Sequence, residues 1–145
     1  EWESLPFGAE HFLRTGEKAN AMLTAEELRV MFIVGAMADL EYSLRAVATA
    51  AEKATFGVTS AQRAARLKKR LHEIQKLVQE PLLQPALAAV ATVELRLNNQ
   101  AAIVAAADAV GKAAREFAEK ADGKKLAAVD PLLPPPSQYK NQPSR

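Results

Sequence analysis

Apolar residues recur at alternating spacings of three and four through residues 30–54: Val30, Ile33, Met37, Leu40, Leu44, Val47, Ala51 and Ala54. That rhythm is the stripe of a helix packed along its whole length against other helices. Just ahead of it, Thr24-Ala25-Glu26-Glu27 has the spacing of a capping box. The pattern predicts a first long helix from about Ala25 to Thr55, about 45 Å long, with Gly57 as its stop. A second start follows at Thr59-Ser60-Ala61-Gln62, where Thr59 or Ser60 would serve as N-cap. Ala64, Leu67, Leu71, Ile74 and Val78 form the stripe of helix two. The short loop makes helices one and two antiparallel neighbours.

Pro81 and Pro85 bracket the next stretch. Proline lacks an amide hydrogen and disfavours helix at the residue before it. Helix two therefore ends near Gln79, and helix three starts with Pro85 at its first position. Its stripe is Leu87, Val90, Val93, Leu97, Val104, Ala107, Val110, Ala114, Phe117 and Ala121, with Gly123 beyond it. Asn98-Asn99-Gln100 weakens the stripe and marks a polar layer or a bend. A competing division keeps one kinked helix from Ala61 to Leu97 and turns at Asn98–Gln100.

The ends read differently. Residues 1–22 form an arm in which Trp2, Leu5, Phe7, Phe12 and Leu13 are bulky anchors and Pro6, Gly8 and Gly16 interrupt any long helix. Residues 124–145 read as an extended tail, because Pro131, Pro134, Pro135, Pro136 and Pro143 favour polyproline structure. Pro135-Pro136-Ser137-Gln138-Tyr139 has one residue too many for a PPxY motif. The fold class expected is all-α: an antiparallel bundle of three long helices, or four, over 23–123, with an N-terminal arm and a Pro-rich C-terminal tail.

Composition sharpens this picture. Of the 145 residues, 49% are apolar and 25% charged, the balance of a soluble domain large enough for a real core. Alanine dominates the apolar set, which favours helix and close helix approach. Cysteine is absent, so thiolate and disulfide chemistry are excluded. The strongest apolar run, Met31–Ala38, is far shorter than the about 20 residues a membrane helix needs. No signal or transit peptide is recognisable. The chain opens at Glu1 rather than Met, which fits a processed precursor or an excised domain. The sequence assigns no compartment.

A net charge of +2 is too small for a globally basic nucleic-acid binder. Basic residues nonetheless cluster on helix two, where Arg63, Arg66, Lys69 and Arg70 share one side. Residues 25–56 are mildly acidic, so attraction between the two segments is expected, weak where it is solvated.

Chemistry is scarce. His72-Glu73 begins like the zinc-protease HExxH, but position 76 is Lys76, and His72 reads as a surface residue. No Glu-x-x-His pair exists for a di-iron bundle. Glu41 and Glu94 lie beside the stripes and are expected to pair with Arg or Lys. The six glycines form no phosphate-binding loop; Gly35 and Gly111 fall inside predicted helices, as at close helix crossings. Without cysteine, and with His11 and His72 far apart, nucleophile–base catalysis has few actors. No catalytic residue, metal ligand or cofactor is expected.

The leading expectation is a non-enzymatic structural or adaptor subunit that contacts other protein subunits, with self-association open to it. Contacts are expected at Trp2, Phe7 and Phe12, and at Pro134, Pro135, Pro136 and Tyr139. Helices of unequal length would leave overhanging apolar surface to be covered. The alternative is nucleic-acid or anionic-surface binding through the basic face of helix two. A small-molecule site lined by Met31, Phe32 and Met37 is a third reading.

Overall fold

The structure, a computed structural model, describes residues 22–50 and 54–135. Their regular elements are all helical: α1 (Ala25–Thr49), α2 (Thr55–Val78), a 3-10 turn (Pro81–Leu83), α3 (Gln84–Ala91), α4 (Gln100–Lys120) and a terminal 3-10 segment (Gly123–Leu132). No helix among the described residues is long and apolar enough to cross a membrane.

The capping box opens α1 as its spacing predicts. The Thr24 hydroxyl accepts from the Glu27 amide at 3.2 Å, and the Thr24 amide donates to Glu27 Oε2 at 2.8 Å. Ile33, Met37, Leu40, Leu44 and Val47 of the seam are buried, and Val30 is half-buried. The helix ends earlier than its spacing suggests, at Thr49 rather than Thr55, with Ala50 extended. Ala54 is exposed, and Ala51 lies outside the described residues. Alanine continues the spacing there without the surface that would hold a further turn against the core.

Helix α2 correspondingly starts at Thr55, not at Thr59 or Ser60, and Gly57 lies inside it rather than stopping α1. The Thr59 hydroxyl turns back to the carbonyls of Thr55 and Phe56, at 2.8 and 3.1 Å, instead of capping. Gly57 is tolerated because the first turn of a helix has few intrahelical bonds to lose. Ala64, Leu67, Leu71 and Ile74 are buried, as their spacing requires. Arg63 meets Asp39 and Arg70 lies over Phe32, so rising numbers on α2 face falling numbers on α1. The two helices are antiparallel.

Helix three is not one helix. Gln79 takes a left-handed φ of 50° and closes α2. The Glu80 side chain accepts from the Leu82 amide at 3.2 Å and starts the 3-10 turn at Pro81. Helix α3 lasts only to Ala91, a connection follows, and α4 begins at Gln100. The competing division, a kinked helix to Leu97 with a turn at Asn98–Gln100, does not hold either: the helix stops at Ala91, the turn falls at Leu97 and Asn98, and Gln100 already belongs to α4. Asn98 takes a φ of 62°, which asparagine tolerates better than most residues. Asn99 Nδ2 donates to the Glu94 carbonyl at 2.8 Å and pins the loop.

Helix α4 runs antiparallel to α1 on the flank away from α2. Arg45 of α1 reaches Asp108 at 2.8 Å, and further along Gly111 faces Glu41. A Cβ on Gly111 would overlap the Glu41 carboxylate, so this glycine leaves room for the Glu41 side chain. Gly35 has no such neighbour: it is exposed, with open space where a Cβ would stand, because it faces away from the core. Leu87, Val90, Ala107, Val110, Ala114 and Phe117 are buried. Leu97 departs from the expected stripe and is 40% exposed, because it lies in the connection.

The expected tail is also divided. Gly123–Leu132 is not extended but coils into 3-10 helix against α1 and α2, and Leu126 and Val129 are fully buried. Two contacts hold it. Gly123 sits against the Glu26 backbone so closely that an added Cβ would lie 2.7 Å from the Glu26 carbonyl carbon. Arg29 donates to both Asp130 carboxylate oxygens, at 2.6 and 2.7 Å, and to the Gly123 carbonyl at 3.2 Å. The prolines that forbid α-helix do not forbid this coil, since Pro131 enters only near its end.

Candidate functional site

The unequal helix lengths create the site. Helix α2 has 24 residues and α3 only 8, and α3, which packs chiefly on α4, meets only the later part of α2. The Lys68 ammonium donates to the Ala91 carbonyl at 3.0 Å and marks where this contact ends. Beyond that point the chain passes as the irregular connection 92–99.

A groove of about 540 Å³ lies there. Its floor is Val47 and Ala50 at the end of α1, one wall is Gly57, Val58 and Ala61 of α2, and the other is Leu95, Arg96 and Leu97. A hollow of about 170 Å³ continues on the other side of Leu95, between Leu40, Leu44 and Lys68. Phe56, 58% exposed, precedes the wall residues on α2, and Leu97 is exposed on the facing wall. Polar groups are few: Gln62, Arg96 and Lys68. Mostly apolar concavities of this size, with a few convergent polar groups, are the usual form of a binding site. Nucleophiles and acid–base pairs do not converge on it, and no cluster of metal-ligating side chains occurs among the described residues.

On the basic face of α2, Arg63 and Arg70 are engaged by residues of α1. Arg63 Nε and Nη2 donate to the two Asp39 oxygens at 2.8 and 2.9 Å. The Asp39 hydrogen bond raises the Arg63 guanidinium above its ordinary value. This pair realises the expected attraction between the acidic and basic segments. Arg70 stands 4.9 Å from the centre of the Phe32 ring, a cation–π contact. Lys69 is 3.9 Å from Glu73. Arg66 has no ion pair among the described residues.

The remaining expected residues fall as follows. Trp2, Phe7, Phe12, Pro136 and Tyr139 lie outside the described residues, as does His11. Pro134 is half-buried and Pro135 exposed. Glu41 pairs with Arg45 at 2.6 Å and Glu94 with Arg96 at 2.7 Å, each a salt bridge of the kind expected. His72 is exposed. Phe32 and Met37 belong to the core and Met31 is half-buried. The groove residues Val58, Leu95, Arg96 and Leu97 were not singled out as a site by the sequence pattern. The overhang expected from one long third helix did not point to them.

Comparison with known protein families, with curated proteins and with solved structures finds no match to this chain.

Proposed function

We propose that this chain is a non-enzymatic adaptor or structural subunit that binds another protein through the groove at the α1–α2 end. The observation that carries the reading is an apolar hollow walled by Val58, Leu95 and exposed Leu97. Contiguous apolar surface of this kind is costly in water and marks contact sites. The helices form an antiparallel bundle around α1 in this reading. The arm, through Trp2, Phe7 and Phe12, and the last residues, through Pro134–Pro136 and Tyr139, add further contacts.

A photo-crosslinking side chain at position 97, in the native host, tests it. A discrete adduct, identified by mass spectrometry and absent when the same group replaces exposed Arg115, is expected. Equal labelling from both positions would contradict the reading.

Binding of nucleic acid or an anionic surface through Arg63, Arg66, Lys69 and Arg70 is the alternative. It has less support, because Arg63 and Arg70 already hold Asp39 and Phe32.

A further inference from the structure

We propose that the outer face of α1 is a docking surface for a second copy of this chain, paired antiparallel about a two-fold axis at Ala38. The proposal does not draw on the groove. It starts from the charge pattern of α1. Between Val30 and Thr49 the charged residues are Asp39, Glu41 and Arg45. All three are tied at the flanks of the helix: Asp39 accepts from Arg63 of α2, and Arg45 donates to Glu41 and to Asp108 of α4. The face away from the core is therefore uncharged. It carries exposed Gly35, Tyr42 and Thr49, and half-buried Leu28, Met31, Ala38 and Ala46. A surface helix keeps charge on its outer face, and one that is apolar all round is normally covered all round.

The order of sizes along this line selects a second copy as the cover. When the line is turned end for end about its midpoint, between positions 38 and 39, each bulky residue falls opposite a small one. Tyr42, 68% exposed, meets Gly35, where a Cβ would find only open space. Met31 meets Ala46, Leu28 meets Thr49, and Ala38 sits at the axis. Large against small at facing positions lets helix surfaces interdigitate. A patch that complements itself when turned about a two-fold is what an isologous dimer interface requires.

Light scattering after size exclusion, on the full chain over a range of concentrations, reads the association. A dimer is expected, weakened at least about tenfold by Tyr42→Glu and by Gly35→Lys, the scale of losing a central contact. Each variant is checked for unchanged helicity; both positions are exposed. Crosslinking reads the geometry separately, because the chain has no cysteine of its own. With a short bismaleimide, Ala38→Cys is expected to link two copies, since its two thiols meet at the axis. Thr49→Cys is expected not to, because it stands opposite Leu28, about 31 Å along the helices from position 49 of the second copy. Equal crosslinking from the two positions would mean parallel pairing or chance collision and would overturn the proposal. A monomer at every concentration, or a dimer unchanged in Tyr42→Glu and Gly35→Lys, would overturn it too. A dimer lost instead in Val58→Glu would place the second copy in the groove, with the same consequence.

Discussion

Two glycines inside helices and a third at a helix end differ only in what a methyl group would meet. At Gly35 it would meet nothing, so Gly35→Ala should stabilise the protein by about 0.5–1 kcal/mol through the lower entropy of the unfolded chain. At Gly123 it would meet the Glu26 backbone, which cannot swing aside as a side chain can. Gly123→Ala should therefore destabilise by about 1–3 kcal/mol. Thermal melts of the two variants should move in opposite directions, and a parallel shift would show that the 3-10 segment does not approach α1 this closely. Sequence showed both glycines but not their surroundings. Gly35 and Gly111 looked alike in pattern, yet one faces solvent and the other faces Glu41. Spacing along one helix does not say what stands opposite. Thr24 is the contrary case, because its partner lies three residues away and the capping box is legible from four letters. Thr24→Ala should cost about 1 kcal/mol.

At the scale of elements, the terminal 3-10 segment behaves as part of the core. Leu126→Ala removes a fully buried side chain and should cost about 2–5 kcal/mol. A deletion beginning at 126 should lower stability, which circular dichroism melts would show. Acid should loosen the same segment. The Arg29 hydrogen bond holds the Asp130 carboxyl below its usual range. A carboxylate depressed in the folded state adds stability above its unfolded pKa of about 3.9. That stability is lost as pH falls through the lower folded value. Denaturant midpoints of the protein and of Asp130→Asn should thus differ at pH 7 and converge in strong acid. A constant difference across that range would mean that Asp130 acts through packing alone.

The elements themselves were unevenly legible. The long stripes of α1 and α2 stand out because bulky residues recur at helical spacing and are buried as that spacing implies. The junction between the two helices was misplaced because Ala51 and Ala54 prolong the rhythm without supplying much apolar surface. The tail was misread because proline excludes α-helix but not a short 3-10 coil, and Leu126 and Val129 are too few to show a period. The break at Asn98–Gln100 was visible in polarity, but the length of α3 was not.

For the whole molecule, the consequential fact is that α3 reaches α2 only as far as Lys68, short of its first turns. The overhang expected from one long third helix does not arise in that form, because the stretch divides into α3 and α4. On this account the basic face is mainly internal pairing: replacing Arg63, Arg66 and Arg70 by Gln should leave duplex DNA affinity at low salt unchanged and negligible. A tight, steeply salt-dependent affinity lost in that variant would restore the nucleic-acid reading. The groove claim itself can be checked without knowing any partner. A soluble paramagnetic probe added to the methyl-labelled, full-length protein reports which side chains water can reach. The account predicts strong attenuation of the Val58, Leu95 and Leu97 methyls, beside protected Ile74 and Leu126. Protection of Val58 and Leu95 equal to that of Ile74, in a protein shown by light scattering to be monomeric, would mean that no groove is open there.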